Sequence, residues 1–349
     1  MTLEIKPYLP GDATRWDAYV KRHALSSLCH FSGWQRVIER TWSHRQLSLL
    51  AERGGKLCGL LPLFHIRSRW FGSMLISTPN AVYGGAIADD GESLHALVES
   101  AKTLAVNLRV DYLELRNTAL TGEEVNDRDF HRQNLYVSFD RPITRDEDLM
   151  MKSFPRDVRR MIRLGIASGL TSEIGREELL DDFYEVYATS LRNLGTPVFP
   201  KKLFAEFLRE FPASSDILLI RQNGRIAAGV LSFYFRDTVM PYYGGAYREF
   251  NRVGVNNFMY WELMRLSAAR GFTRFDFGRS KIGSGAYQFK SGWRMTERKL
   301  PYKFFLVRAG KMPNLNPTNP NFKLMIEIWK RLPLGLTKII GPKIVKHLL

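Results

Sequence analysis

Hydrophobic and polar residues alternate in two stretches of the chain that each surround a turn sequence. Residues 49–63 alternate around Gly54-Gly55, and residues 218–235 alternate around Asn223-Gly224. Alternation places one side of a strand on a core and the other in water, and two-residue turns of these types join neighbouring antiparallel strands. The pattern therefore predicts one β-hairpin in each half of the chain.

The same landmarks follow both hairpins in the same order. A further strand leads to the tetrapeptide YGGA, at residues 83–86 and again 160 positions later at 243–246. A helical pattern comes next, and then a short apolar strand with one acid, Glu114 in the first half and Asp276 in the second. Matched landmarks at offsets of 160–169 residues indicate a duplicated α/β unit.

Each repeat is predicted to contain an amphipathic helix, the hairpin, a third strand, a crossover helix and a last strand. A hairpin makes its strands antiparallel, whereas a helical crossover makes them parallel. The predicted fold class is therefore α/β, with a mixed α+β-type sheet that contains both parallel and antiparallel strands. We predict a first repeat over residues 1–145, a second over 146–312, and a basic amphipathic extension over 313–349.

A resemblance to a known family is carried by several longer stretches. They cover almost the whole chain and read HFSGWQRVIER, STPNAVYGGA, YLELRN, SLRNLGTPVFP, SFYFRDTVMPYYGGA, FDFGRSKIGSGAYQFKSGW and NPTNPNFKLMIEIWKRLP. The sequence resembles the tandem GNAT-type acyltransferases of the FemAB (FemABX) acyl/aminoacyltransferase group. More narrowly, it resembles the FemAB-related branch associated with the PEP-CTERM/exosortase system. The resemblance implies two GNAT-like domains that transfer an acyl or aminoacyl group to an amine.

The densest candidate site is the segment FDFGRSKIGSGAYQFKSGW. A buried strand presents Asp276 and leads into a glycine-containing loop with the cations Arg279, Lys281 and Lys290. Glycines allow backbone N–H groups to approach an anion closely, and ligands of open α/β sheets favour the carboxyl ends of strands. We therefore predict an anion site here, with a flexible, solvated basic turn as the alternative.

Individual roles in this segment follow from the resemblance. A phenylalanine-lysine pair handles the acyl donor in FemAB-type enzymes, and Phe289-Lys290 matches it. Lys290 would then contact donor phosphate or stabilise the developing oxyanion. Asp276 would accept a proton from the attacking amine or orient it, unless it only caps the loop by binding backbone amides.

The remaining candidates in the second repeat are substrate-binding residues. Tyrosine hydroxyls and glycine backbone would line the splayed strand where GNAT folds admit the acyl group, although aromatic residues on strands are also common core residues. These strand candidates are Tyr242, Tyr243, Gly244 and Gly245. The other candidates are Arg279, Ser280, Lys281, Tyr287 and Phe289, with Arg192 and Asn193 of the stiff loop RNLGTPVFP as readers of a polar acceptor.

Charge is the unusual bulk property of these 349 residues. There are 51 Lys+Arg and 35 Asp+Glu, which gives a net charge of +16. Such a surface attracts polyanions such as RNA, anionic membranes and phosphorylated carriers. On one predicted helix, arginines at i, i+3, i+4 and i+7 share a face that suits phosphate or is simply solvated. These anion-binding candidates are Arg156, Arg159, Arg160 and Arg163.

The C-terminal residues 321–349 mix apolar residues with lysine and arginine. Such a segment can lie in an anionic membrane interface or pack its apolar stripe on the second repeat. From this sequence we expect neither a signal peptide nor a membrane-spanning helix, and Cys29 and Cys58 are too few for a disulfide framework. We therefore expect a cytoplasmic protein, with peripheral association at the inner membrane as a further option.

Several kinds of site are excluded by their missing motifs. No HxxxH or HExxH pattern, GxSxG elbow or GxGxxG fingerprint occurs, so we expect no metal and no permanently bound cofactor. The favoured function is an N-acyltransferase acting on an amine of a cell-envelope or exopolysaccharide-related acceptor. Its donor is aminoacyl-tRNA or acyl-CoA. The region REFNRVGVNN departs from the [QR]xxGx[GA] spacing of CoA-binding GNAT enzymes.

Two other function classes stay open. The first is a non-catalytic, membrane-associated adaptor of an exopolysaccharide or protein-sorting system, which would use the basic surface and the tail. The second is a general RNA-binding protein, whose affinity would fall steeply with salt. The sequence contains no RNP-type aromatic motif, so the RNA-binding class ranks last.

Overall fold

Mixed α/β architecture is present in both halves of the chain, as the duplication predicts. The computed structural model describes residues 2–68, 71–117, 129–312 and 320–347, with side chains from residue 324 onward in the last range. Unit 1 comprises residues 1–135, 299–315 and 346–349, and unit 2 comprises residues 136–298 and 316–345. Of the predicted tail, residues 313–319, 348 and 349 and the side chains of Phe322 and Lys323 lie outside the described residues.

Unit 1 consists of two sheets and the helices that accompany them. Its strands are β1 Leu3–Pro7, β2 Arg45–Gln46, β3 Leu49–Arg53, β4 Lys56–Leu61, β5 Leu63–Ser68, β6 Gly72–Ser77, β7 Ile87–Ala88, β8 Tyr112–Arg116, β9 His131–Gln133 and β17 Tyr302–Leu306. Its helices are α1 Ala13–Arg22, α2 Ser32–Trp42 and α3 Gly91–Asn107. The strand orders are β1-β3-β4-β7 and β2-β5-β6-β8-β17-β9.

Unit 2 is built on one sheet with the order β11-β12-β13-β14-β15-β10-β16. Its strands are β10 Tyr136–Pro142, β11 Leu170–Gly175, β12 Ser215–Gln222, β13 Arg225–Phe235, β14 Thr238–Ala246, β15 Arg274–Lys281 and β16 Thr296–Lys299. Its helices are α4 Glu147–Lys152, α5 Arg156–Ala167, α6 Leu180–Leu194, α7 Lys201–Glu210, α8 Val255–Ala269, α9 Gly285–Ser291, α10 Pro320–Arg331 and α11 Leu334–Val345.

Both predicted hairpins are confirmed. Strands β3 and β4 turn at Gly54 and Gly55, and strands β12 and β13 turn at Asn223 and Gly224. All four turn residues have positive φ, between 51° and 78°, which is the conformation that a two-residue hairpin turn requires. The parallel crossovers are confirmed as well, because β6 pairs with β8 after α3, and β14 pairs with β15 after α8.

The two YGGA sequences have different structures, although their spacing predicts equivalent strands. Residues 243–246 complete the continuous strand β14. Residues 83–86 instead lie in the irregular connection between β6 and β7. In unit 1 the strand path is also interrupted by Pro62, which separates β4 from β5, whereas β13 runs for 11 residues without a break. Proline cannot donate a ladder hydrogen bond, so it disfavours a continuous inner strand.

The unit boundaries differ from the predicted ones because the last strand of each sequence half joins the other half's sheet. Strand β10 lies within predicted residues 1–145, but it pairs antiparallel with β15 in unit 2. Strand β17 lies within predicted residues 146–312, but it pairs antiparallel with β8 in unit 1. Pairing over several residues satisfies the backbone groups along one edge of β15 and of β8, and local sequence patterns do not encode which edge a strand selects.

The C-terminal helices pack on α6 in unit 2. Residues of one face of α11 are buried, namely Thr337, Gly341 and Val345. A Cβ atom on Gly341 would stand 2.8 Å from the backbone nitrogen of Val198, so α11 approaches the α6–α7 connection closely. Lys338 also forms an ion pair with Glu185 on α6. Among the described residues, no helix is long and apolar enough to cross a membrane.

Candidate functional site

A gap opens between two parallel strands of unit 2. Strands β14 and β15 share only two registered pairs, Thr238 with Arg274 and Val239 with Phe275. Beyond these pairs the two strands form no ladder, although β14 continues to Ala246 and β15 to Lys281. Crevices beside the carboxyl ends of parallel strands are the usual ligand sites of α/β sheets. The diverging strands therefore provide a candidate ligand site inside a single unit.

One wall of the gap is β14, which is bulged and rich in glycine. Leu231 pairs with Tyr243, and Ser232 pairs with Pro241, so Tyr242 is the extra residue of a β-bulge. Tyr243 is buried, and its ring makes edge contacts with aromatic residues of the α6–α7 region. Bulges bend a strand and are frequent beside active sites. The bulge lies where β14 leaves β15.

The other wall is β15, whose regular pairing is interrupted at Gly278. Ser138 pairs with Arg279 and Asp140 with Asp276, so β15 has one more residue than β10 in this interval. Gly278 has φ of +66°, a left-handed conformation that glycine adopts without strain. The carboxylate Oδ1 of Asp276 accepts a hydrogen bond of 2.8 Å from the Gly278 backbone N–H. Asp276 therefore stabilises the bulge.

Lys290 lies against this bulge. Its ammonium donates hydrogen bonds to three successive backbone carbonyls, at 2.6 Å to Phe277, 3.4 Å to Gly278 and 3.3 Å to Arg279. Successive carbonyls of a regular strand point in opposite directions, so their convergence on one atom depends on the left-handed Gly278. One bond is short and two are long. A ligand oxygen can therefore replace a long bond while the short one still holds the lysine.

The environment of Lys290 lowers its pKa to about 8. Burial is the main cause, because removing the ammonium from water disfavours its charged form. Asp276 acts in the opposite direction, and the neighbouring cation Arg279 lowers the pKa further. The site therefore holds an ammonium group that loses its proton near pH 8, well below the range of an ordinary lysine.

An aromatic cluster positions α9, the helix that carries Lys290. The ring of Trp293 makes edge contacts with Phe277 at 5.6 Å and with Phe154 at 5.2 Å, measured between ring centroids. Tyr260 of α8 lies 4.7 Å from Phe277 and 5.8 Å from Phe289. Such edge-to-face contacts favour defined ring orientations. Sequence reasoning missed Tyr260 and Trp293, and the only signal was the aromatic spacing on α8 and after α9.

Three arginines on α5 form an exposed cationic strip. Helix α5 crosses the start of α8, since a Cβ atom on Gly254 would stand 2.5 Å from the carbonyl oxygen of Met161. The strip, with side chains in water, consists of Arg156, Arg160 and Arg163. A helix N-terminus and guanidinium groups both favour phosphate. The cations therefore lie on the exposed side of the helix that packs against α8.

Residues 152–291 match the family model described as the Acetyltransferase (GNAT) domain. This segment contains β14, β15, α8 and Lys290. The match covers 140 of the 349 residues, so it shows that this segment of unit 2 is similar to GNAT acetyltransferase domains. The gap between β14 and β15 and the lysine beside it both lie within the matched segment.

Solved structures show that the whole fold is that of tandem GNAT proteins. The crystal structure of FemX has a TM-score of 0.69 at 15% identity and covers 93% of this chain and 100% of its own. A tandem GNAT protein from the clavulanic acid biosynthesis pathway has a TM-score of 0.54 at 11% identity, covering 89% of this chain and 100% of its own. The C-terminal domain of a protein designated a lysylphosphatidylglycerol synthetase, from Agrobacterium fabrum, has a TM-score of 0.55 at 14% identity, with 86% and 92% covered. No curated protein matches the sequence.

The predicted substrate-binding residues on β15 and α9 lie in different environments. Arg279 is partly buried, with its guanidinium carbon 4.8 Å from the ring centroid of Tyr136. Ser280 is buried, and burial lowers the pKa of Lys281. The Tyr287 hydroxyl donates to a carboxylate oxygen of Glu297 at 3.1 Å. These side chains surround β15 and α9.

Three predicted ligand-binding residues form hydrogen bonds within the protein. Arg192 donates to the Leu332 carbonyl at 3.3 Å, and the carbonyl of Asn193 accepts from Arg248. Arg159 donates to the Phe154 carbonyl at 2.7 Å, because it lies on the side of α5 that faces the preceding turn. The predicted four-arginine face therefore has three exposed members. The acceptor role of Arg192 and Asn193 gains no support from these contacts.

The equivalent gap in unit 1 is filled by protein. Beyond the β6–β8 pairs, the Arg116 N–H donates to the Ser77 hydroxyl at 2.8 Å, and the Gly85 N–H donates to the Arg116 carbonyl at 2.8 Å. The buried Arg116 guanidinium also binds Glu114 at 2.7 Å and the Ala81 carbonyl at 3.0 Å. A buried guanidinium needs such partners. The connection that contains the first YGGA thus closes this space.

No group of three His, Cys, Asp or Glu side chains in the described ranges is arranged to hold a metal ion. The buried histidines are engaged otherwise. His30, for example, accepts from the Ser27 N–H and contacts the Gly85 carbonyl at 3.1 Å, and burial lowers its pKa to about 4. These contacts give His30 a structural role.

Two neighbouring glycines on β14 should respond differently to an added methyl group. A Cβ atom on Gly245 would stand 2.9 Å from the Tyr187 Cα atom and 3.1 Å from the Val186 carbonyl oxygen, whereas the nearest atom to one on Gly244 is at 3.6 Å. Backbone of α6 cannot yield easily, so we expect Gly245→Ala to lower the free energy of unfolding by about 1–3 kcal/mol. Gly244→Ala should change it by less than about 0.5 kcal/mol. Urea unfolding of both variants checks this, and equal stabilities would contradict the close packing of β14 on α6.

Proposed function

We propose that the protein transfers an acyl or aminoacyl group to an amine in the gap between β14 and β15. The observation that carries the proposal is the opening of these strands beside an ammonium group held by the bulged end of β15. The gap of unit 1 is closed by Arg116, which favours a supporting or acceptor-binding role for that unit.

The proposed reaction joins an amine nitrogen to the carbonyl carbon of an activated ester or thioester. Attack gives a tetrahedral intermediate with negative charge on the former carbonyl oxygen. Lys290 stabilises this oxygen by exchanging one of its two long carbonyl bonds for it. Collapse of the intermediate breaks the bond to the ester oxygen or thioester sulfur, and the departing atom takes the proton that the amine loses.

Asp276 acts in this proposal as a positioning residue. One of its carboxylate oxygens binds the Gly278 N–H, which maintains the conformation that gathers the three carbonyls around Lys290. Its negative charge also favours the protonated lysine. This contact supports the capping alternative more than proton abstraction from the amine.

The donor we propose is an acyl group on a phosphate-bearing carrier, either acyl-CoA or aminoacyl-tRNA. The exposed strip of Arg156, Arg160 and Arg163 on α5 suits the phosphates of both. The sequence around Arg252 and Gly254 departs from the motif spacing of CoA-binding GNAT enzymes. This departure favours a mode of pyrophosphate binding that differs from the one in those enzymes.

The acceptor we propose is an amine of a cell-envelope or exopolysaccharide-related molecule. Support comes from the likeness to FemX and to the protein designated a lysylphosphatidylglycerol synthetase, and from the sequence resemblance to the PEP-CTERM/exosortase branch of FemAB-like proteins. A peripheral position at an anionic membrane would bring the enzyme to such acceptors. The exposed side of the C-terminal helices supports that position.

A non-catalytic adaptor is the second candidate function, and the same exposed helical side favours it. An adaptor needs its surface but not the ammonium beside the gap. Complementation of a strain that lacks the gene would separate the two functions. An enzyme loses function when Lys290 is replaced by alanine, whereas an adaptor keeps it.

The proposal is tested by donor binding at low salt. We expect one of acetyl-CoA, a long-chain acyl-CoA or charged tRNA to raise the thermal midpoint in a saturable manner, because a ligand that binds only the folded state stabilises it. The same donor should stabilise the Lys290→Ala variant much less. Uncharged tRNA separates recognition of the aminoacyl group from general RNA binding. No stabilisation by any donor would contradict the assignment of the gap.

A further inference from the structure

The two C-terminal helices use only one side to pack on unit 2. Trp329 of α10 is buried, and Ile326 of α10 contacts Gly195 at the end of α6. In α11, Thr337, Gly341 and Val345 are spaced by four residues and are all buried. Residues four apart share a helical face, so each helix is anchored along one stripe. The opposite stripe of each helix remains in water.

That outer stripe is apolar. The exposed aliphatic side chains of α10 are Leu324, Met325 and Ile328, and those of α11 are Leu336 and Ile339. Four of these are between 53% and 69% exposed, and Leu336 is 40% exposed. Single exposed apolar residues are common, whereas a cluster on two adjoining helices marks an interaction surface. We call these five residues the outer apolar face.

Cations accompany the outer apolar face on both helices. Arg331 follows Ile328 by three residues, and Lys343 follows Ile339 by four, so each apolar stripe ends in an exposed cation on the same side. From residue 324 to 347 there are five Lys or Arg and one acid, Glu327, which is paired with Lys330. Lys338 is paired with Glu185 of α6, so Arg331 and Lys343 supply the positive charge next to the outer apolar face.

We propose that the outer apolar face docks on the surface of an anionic lipid bilayer. Aliphatic side chains with lysine and arginine beside them match the boundary between acyl chains and anionic headgroups. A second copy of this chain would present the same cations and carry a net charge of +16 of its own, so self-association through this face is disfavoured. The docking does not depend on the proposed reaction.

The geometry fits helices that lie on a bilayer. Each helix has 12 residues and is about 18 Å long, which is too short for a hydrocarbon core of about 30 Å. The buried side of α11 is linked through packing contacts to the candidate site in unit 2. Gly341 contacts Val198 in the α6–α7 connection, and Phe199 of that connection contacts Tyr243 on β14. The proposed membrane surface is thus one connection away from the gap.

Vesicle binding by the full chain tests the proposal. We expect sedimentation with vesicles of phosphatidylcholine and phosphatidylglycerol in equal parts, and none with pure phosphatidylcholine. Ile328→Asp combined with Ile339→Asp should abolish it. Leu149→Asp is the matched control, because this leucine is 59% exposed on α4, and it should bind like the unchanged protein. Circular dichroism melts of all variants exclude unfolding as the cause.

A second pair of variants isolates the electrostatic part. Arg331→Gln with Lys343→Gln should reduce partitioning roughly 25-fold, because each cation contributes about fivefold near an anionic surface. Undiminished binding of the aspartate double variant would overturn the proposal and direct attention to another basic surface such as α5. A concentration-dependent dimer that the aspartate variant loses would overturn it in favour of self-association. Neither result depends on acyl transfer, so it leaves the proposed reaction to its own test.

Discussion

Replacing Lys290 by alanine is expected to lower kcat/KM by about 100-fold or more, because removal of one donor to a developing oxyanion typically has this cost. The variant also leaves the carbonyls of Phe277, Gly278 and Arg279 without their shared ammonium. Steady-state transfer of the donor found by thermal shift, with an amine acceptor, measures the effect. The folded state is checked by its thermal midpoint.

Lys290→Arg is the matched control for charge. Since the pKa of Lys290 is about 8, its ammonium is present below pH 8 and is lost as the pH rises through that value. We expect the activity of the unchanged protein to fall over this interval, and the arginine variant to lack this fall because its guanidinium stays charged. Activity that rises through pH 8 in the unchanged protein but not in Lys290→Arg would instead assign the neutral amine as a base.

Filling the gap from β14 is expected to block the donor. The backbone at Gly244 accepts a Cβ atom without a clash, since its nearest neighbours would stand at 3.6 Å, an ordinary van der Waals distance. A leucine at this position would extend from the strand that forms one wall of the gap. We expect Gly244→Leu to raise the KM for the donor at least tenfold, or about 1.4 kcal/mol in binding free energy. Calorimetric titration of the donor gives the affinity directly.

Gly310→Leu controls for the added apolar side chain. A Cβ on Gly310 would meet no atom within 4 Å, and this glycine belongs to unit 1, whereas β14 belongs to unit 2. It should leave donor affinity unchanged. If Gly244→Leu binds the donor with unchanged affinity while its thermal midpoint is preserved, the donor does not pass between β14 and β15.

The local elements of this fold are predictable because local rules determine them. Asn223-Gly224 and Gly54-Gly55 turn where two-residue hairpin chemistry requires, and the crossovers after α3 and α8 make parallel pairs. The first YGGA shows where local rules end. The two tetrapeptides are identical in sequence. In unit 1, however, the buried ion pair of Arg116 and Glu114 fills the space that in unit 2 lies beside the continuous strand β14.

The sequence singles out the segment that holds the candidate site, but it does not predict the contacts within that segment. The glycines and lysines after Asp276 mark a ligand loop in the sequence. Three carbonyls converge on Lys290 because β15 pairs with β10. These two strands are far apart in sequence: Asp140 of β10 and Arg274 of β15, which form an ion pair, are separated by 134 residues. Arg159 shows the same limit of sequence-based prediction. Helical spacing predicts which face of α5 carries Arg159, but it does not predict the hydrogen bond from Arg159 to the Phe154 carbonyl in the preceding turn.

The exchange of β10 and β17 makes the two repeats inseparable. A gene cut between residues 145 and 146, where the repeat pattern places the junction, would leave β15 without the partner that sets its bulge. The first half alone would likewise expose the edge of β8 that β17 covers. An unpaired inner strand is an aggregation site. The duplication has therefore produced two units, each of which needs a strand from the other half of the sequence to complete its sheet.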